Sequence, residues 1–214
     1  MITVAIDAST YLGTVALLRD STVIAEGEAT MRGRDAETLM PRVADVLRVA
    51  EVSPGALDRV VCGSGPGSFT SLRIAASIAK GLAFGCGCTL ATVSSLALLL
   101  MANGRPTAGR WLSALDALRG ELYVQAFAVD QRGDVTAIPA PAIVAHGQLA
   151  ALAESLGAEV VGPGQPVYPH ARAVAMLERM LVPVDLASWE PDYGRKAEAQ
   201  VRWEAAHHRP LPSS

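Results

Sequence analysis

Residues Val60 to Leu82, V-V-C-G-S-G-P-G-S-F-T-S-L-R-I-A-A-S-I-A-K-G-L, constrain the local structure more than any other stretch of the chain. A short apolar run (Val60 to Cys62) turns through Gly63, Gly65, Pro66 and Gly67 into a segment with helical period. A buried strand, a tight turn and a helix start account for that order, with Ser68 as the expected N-cap. The helix, roughly Phe69 to Phe84, carries a polar stripe of Arg73, Ser77 and Lys80. Another side is made of Ala75, Ala76, Ala79 and Ala83, flanked by Leu72, Ile78 and Leu82. Small residues at helical spacing let a second helix approach closely, within the molecule or between subunits. The joint also gathers backbone N–H groups, so it can hold an anion or pack against another surface.

The flanking sequence sets the architecture around this joint. Ile2 to Ile6 is a largely β-branched run ending at Asp7, and further runs follow from Thr14 to Leu18 and Thr22 to Ala25. Their short connections predict an antiparallel meander. A helix is expected from about Ala36 to Ala50, capped by Asp35, with Leu39, Val43, Val46 and Leu47 on one apolar face. After the joint, Thr89 to Val93 reads as a strand, and Ser94 or Ser95 caps a helix running to about Ala102. The turn-rich stretch from Asn103 to Gly109 breaks both periodicities. It is the expected boundary between an N-terminal domain, 1–106, and a C-terminal domain, 107–214.

The second half restarts with strands. Trp111 to Leu115 ends at Asp116, Glu121 to Val129 alternates faces, and a third strand falls between Val135 and Ile138. A helix near Gln148 to Leu156 and a strand from Glu159 to Val161 follow, and Tyr168 to Leu181 is expected to be helical. Both halves share the order β-β-β-α-β-α and open with a strand ending in aspartate, a topological echo without a sequence repeat. The last residues of the polar tail are expected to be mobile.

Composition narrows the function classes. Of 214 residues, 50% are hydrophobic and 18% charged, which favours a folded core over disorder. The net charge of −3 is not that of a chain that binds nucleic acid alone, so contact with RNA needs a partner or a local patch. Cys62, Cys86 and Cys88 lack the Cys-x-x-Cys spacing of redox and zinc sites. They read as reduced thiols in a cytosolic protein without a signal peptide. The uncharged stretch between Lys80 and Arg105 is long enough for a membrane span, but Gly85, Gly87, Thr89, Thr92, Ser94 and Ser95 interrupt it, and no span is expected.

Three chemistries can be weighed against the residues. The four histidines, His146, His170, His207 and His208, include no i, i+4 pair for a helical zinc site. Gly-Pro-Gly-Ser68 lacks the glycine that a nucleophile elbow carries two residues after its serine. Asp7, with Ser9 and Thr10 close behind, can hold a metal-bound water or phosphate, or can simply cap its own turn. With Asp116 in the matching place of the second half, it fits an actin-like ATPase or sugar-kinase architecture. The turn after Asp116 has no early glycine, however, and Pro163 removes a donor from Gly162-Pro163-Gly164. Two half-kept phosphate loops point to a fold that has lost its active site.

The central stretch also carries a family resemblance. G-P-G-S-F-T-x-L-R-I (Gly65 to Ile74) with A-K-G-L-A (Ala79 to Ala83) resembles the signature of the bacterial TsaB family, also called YeaZ. A-I-D-A-S-T (Ala5 to Thr10), V-S-S-L (Val93 to Leu96), D-A-L-R-G-E-L-Y (Asp116 to Tyr123) and P-D-Y-G-R (Pro191 to Arg195) are similar to further family segments. The likeness is dense over roughly the first 125 residues and sparse but collinear afterwards. Two departures stand out. Ser71 replaces a usual glycine, and Asp35-Ala36-Glu37 stands where a His-Ser-Glu run is common.

The resemblance implies an actin-like (ASKHA, ribonuclease-H-like) α/β fold with a degenerate nucleotide site. It implies a non-catalytic scaffold or activator that pairs with the catalytic TsaD and, with the ATPase TsaE, serves threonylcarbamoyl transfer to the adenosine beside the anticodon of tRNAs reading codons that begin with A. No cofactor of its own is expected, and ATP and metal belong to the partner subunits. It also implies contact with tRNA through the complex, a homodimer when TsaD is absent, a cytoplasmic location and no protease activity. Leu39, Val43, Val46, Leu47, Ser68, Phe69, Leu72, Arg73, Ala75, Ala76, Ala79 and Ala83 are the expected partner interface, on the two helices that the family uses for a helical bundle. Arginine at Ala76 or Ala79 is expected to block the partner and leave the chain folded. Asp7, Ser9, Thr10 and Asp116 are the expected remnants of a nucleotide site. An active ATPase or small-molecule kinase is the alternative.

Overall fold

The computed structural model describes residues 1–31, 38–140, 142–195, 203 and 207. The meander forms as expected from β1 (Ile2–Asp7), β2 (Leu12–Arg19) and β3 (Thr22–Thr30). Strands β4 (Arg59–Gly63) and β5 (Thr89–Val93) join in parallel beside β1, giving the spatial order β3-β2-β1-β4-β5. Parallel neighbours need crossover connections. Here they are helices α1 (Leu39–Val49) and α2 (Phe69–Cys86), which pack on one face of this sheet. Alternation along β1 sorts the residues: Val4 and Ile6 meet the helices, and Ala5 faces the opposite side.

That opposite side receives α3 (Ser95–Leu100), every residue of which is buried. A helix apolar all round belongs inside a protein, which accounts for the uncharged stretch. Among the described residues no helix is long and apolar enough to cross a membrane. The second sheet closes over α3 through Leu115, Tyr123 and Phe127. It contains β6 (Gly109–Asp116), β7 (Glu121–Val129), β8 (Val135–Ile138), β9 (Ile143–Ala145) and β10 (Glu159–Val161). Its order, β10-β6-β7-β8, repeats β4-β1-β2-β3 of the first sheet with the same parallel and antiparallel senses. Strand β9 doubles back onto β7, and α4 (Leu149–Leu156) covers the outer face. The halves are therefore structural repeats, as the shared element order implied.

The segment from Tyr168 to Leu181 departs from expectation. It forms two 3-10 turns, Ala171–Met176 and Glu178–Met180, and no α-helix. Its buried residues include His170, Ala171, Ala173, Val174 and Leu177, and the segment lies against β1, β2 and α3. Thr14 on β2 anchors this segment, its hydroxyl accepting from Ala171 N at 3.0 Å. Strand β11 (Val182–Pro183), which the sequence did not signal, then pairs with β5. The C-terminal part of the chain thus returns to the first sheet. The expected start of α1 at Ala36 and its Asp35 cap lie outside the described residues, as do the chain's last residues.

Candidate functional site

The glycine-rich joint between β4 and α2 lies at the carboxyl ends of the parallel strands, where open α/β sheets place ligands. Three of its backbone donors are engaged within the chain. Ser64 N bonds Val93 O at 2.8 Å, Gly65 N bonds Ser95 Oγ at 3.1 Å, and Ser68 N bonds Ser9 O at 2.7 Å. The glycines allow this closeness. A Cβ at Gly63 would strike the Asp7 carboxylate, and one at Gly67 would strike the backbone of Ser9. The joint therefore packs on a surface of its own chain, the β1–β2 turn and the start of α3.

Asp7 is the centre of that contact and has no solvent exposure. Its Oδ1 accepts from Ser9 N at 3.0 Å and Ser9 Oγ at 2.7 Å, and its Oδ2 accepts from Ser95 Oγ at 2.5 Å. Burial pushes the carboxyl above its usual range, opposed by the hydrogen bonds from Ser95 and Ser9. Thr10 Oγ1 accepts from Leu12 N at 3.2 Å within the turn. Asp7 and Ser9 are thus brought together, with both carboxylate oxygens bonded inside the protein. Asp116 is exposed, and its Oδ1 accepts from Leu118 N at 2.7 Å. No group of three or more His, Cys, Asp or Glu side chains forms a metal-ligand set among the described residues.

The helix faces require a correction. Leu39, Val43, Val46 and Leu47 of α1, and Leu72, Ala75, Ala76, Ala79 and Ala83 of α2, are at most 5% exposed. All but Leu72 and Ala76 belong to the apolar cluster on the first sheet. The small-residue side of α2 brings the helix close to its own sheet, because apolar stripes of crossover helices are consumed by the sheet they cover. Arginine at Ala76 or Ala79 would therefore disrupt the fold. Ser68 occupies the N-cap position without a capping bond; its hydroxyl lies 3.0 Å from Ser71 Oγ. The serine in the usual glycine position is thus buried with a partner.

Of the expected interface residues, Phe69 and Arg73 are exposed and Ser68 is half-buried. Phe69 is 38% exposed, and Arg73 stands over its ring at 5.4 Å. Outward-facing residues outside the expected interface complete the face: Ser77 of the polar stripe, Gly81 and Phe84 of α2, and Ala44 and Val49 of α1. Phe84 is 81% exposed and Val49 66%, the most exposed large apolar side chains described. Along α2 these residues recur every three to four positions, out of step with the alanines, and that spacing was a readable signal.

Two β-β-β-α-β-type sheets packed around a buried helix, with the first joint at the strand ends, define a protein of the actin-like class. Residues 32–187 match the family model for TsaD, tRNA N6-adenosine threonylcarbamoyltransferase. The chain is 30% identical to the Bacillus subtilis tRNA threonylcarbamoyladenosine biosynthesis protein TsaB, with 95% of this chain and 98% of that one covered. It is 35% identical to Escherichia coli TsaB over 77% of this chain and 72% of that one. The structure of YeaZ from Pseudomonas aeruginosa superposes with a TM-score of 0.72 at 26% identity, covering 90% of this chain and 99% of that one. The chain belongs to the TsaB (YeaZ) family.

Proposed function

We propose that the chain serves tRNA threonylcarbamoyladenosine biosynthesis as a subunit without catalytic activity of its own. In this reading it pairs with a TsaD-type transferase, works with TsaE, and meets tRNA through the complex in the cytoplasm. It carries no cofactor, and ATP and metal are held by its partners. The observation that carries the reading is the nearly full-length match to a protein named for that pathway. Two features support the accessory role. Both Asp7 carboxylate oxygens are bonded within the protein, and the joint's Ser64, Gly65 and Ser68 amides have internal acceptors.

The partner surface in this proposal is the outer face of α1 and α2, with Val49, Phe69, Arg73, Ser77, Gly81 and Phe84. Exposed apolar side chains beside small residues suit close helix packing. The same face serves a homodimer when the transferase is absent. Reconstitution with the cognate transferase, TsaE and threonylcarbamoyl-adenylate tests the function: modified tRNA should depend on this chain, and independence would overturn the reading. Ser77→Arg and Phe84→Glu should abolish capture of the transferase while leaving the thermal transition of the isolated chain in place.

A further inference from the structure

The segment Pro191–Arg195 touches both halves of the molecule, and on the first half it meets the start of α2 at Phe69. On the first half, Asp192 N donates to Ser64 O at 2.7 Å, and the Tyr193 ring lies 4.4 Å from Phe69. On the second half, Tyr123 Oη donates to Tyr193 O and accepts from Arg195 Nε, both at 3.1 Å. Arg195 Nη2 also reaches Glu121 Oε2 at 3.1 Å.

The fit is made by missing side-chain atoms. A Cβ at Gly65 would strike the Asp192 carbonyl, and one at Gly194, whose φ is +70°, would strike the Tyr123 ring and Pro66. Asp192 Oδ1 accepts from Gly194 N at 2.7 Å and sets the turn.

The segment is seated without being core. Only Pro191 is buried; Asp192 is exposed, and the Arg195–Glu121 pair is solvent-accessible at both ends. Contacts of that kind open locally at lower free energy than the packed sheets beneath them. We propose that Pro191–Arg195 is a releasable strap that clasps the two halves together at the carboxyl ends of the strands and holds them at a fixed angle. Its release uncovers Ser64 and Phe69 of the joint together with Glu121 and Tyr123 of the second half, since Asp192 and Tyr193 hold the first and Tyr193 and Arg195 the second.

Hydrogen exchange of the full chain tests this. Gly194→Val cannot seat the turn, and exchange at 64–69, 117–123 and 191–195 should rise about tenfold while β1, β4 and the middle of α2 keep their protection. Tyr123→Phe keeps the ring and removes the bridging hydroxyl; it should raise exchange in the same three segments to a smaller extent. It decides the question if Gly194→Val fails to fold. Unchanged exchange in those segments, or a rise spread through the first sheet, would overturn the proposal.

Discussion

Ser95 Oγ donates a 2.5 Å hydrogen bond to Asp7 Oδ2, joining residues 88 apart in sequence. Ser95 Oγ also accepts from Gly65 N, so one hydroxyl ties the end of β1, the glycine-rich joint and the start of α3. All of these atoms lie in buried surroundings. Losing one partner leaves the others desolvated and unpaired.

Asp7→Ala should therefore lower unfolding stability by about 2–4 kcal/mol, and Ser95→Ala by about 1–3 kcal/mol. Urea unfolding with an unchanged m-value is the check. The double variant should lose less than the sum, because the two side chains share one bond.

His170 makes the stability depend on pH. Burial, and then the Arg172 charge, pull its imidazole below its usual range against Glu26 and Glu28. The unfolded chain takes up the proton first as pH falls through about 6.5, so this contribution is present above that pH and is lost on acidification toward the lowered folded value. Asp7 acts in the opposite sense. Its raised value gives a contribution present below the ordinary carboxyl range and lost as pH rises through the folded value. Relative to His170→Asn, which can still accept from Arg172 N, the native chain should lose stability between about pH 7 and pH 5. Unfolding midpoints measured at each pH in both proteins provide the comparison.

Two glycines should respond oppositely to alanine. At Gly67 the added Cβ meets the Ser9 backbone, which cannot move without opening the β1–β2 turn, and the loss should be about 2 kcal/mol or more. At Gly81, within α2, the Cβ meets open space. Relief of helix entropy there should stabilise the chain by about 0.5–1 kcal/mol. Thermal unfolding of both variants separates the cases.

The three thiols should divide in a native titration. Cys62 is fully buried, and burial, with the Asp7 charge adding to it, pushes its thiol up. Cys86 and Cys88 are half-buried, and burial also raises the Cys88 thiol. A thiol-specific reagent should modify two thiols in the folded protein, faster at higher pH, and the third only after denaturation.

Local patterns carried much of the architecture. The apolar run, glycines and helical period from Val60 to Leu82 were sufficient for β4, the joint and α2, because each depends on near neighbours in sequence. The shared element order of both halves, with its aspartate-ended first strands, matches the repeated sheet order, although the expected last helix of the second half is replaced by 3-10 turns. Burial could not be assigned this way. Ala75, Ala79 and Ala83 read equally well as a docking face or as the underside of a helix, and only the position of the first sheet decided that they belong to the core. Long-range contacts were equally hidden: nothing near Pro191–Arg195 announces Ser64, Phe69 or Tyr123. Periodicity records which residues share a side, whereas the identity of what covers that side depends on distant segments that meet only in the folded chain.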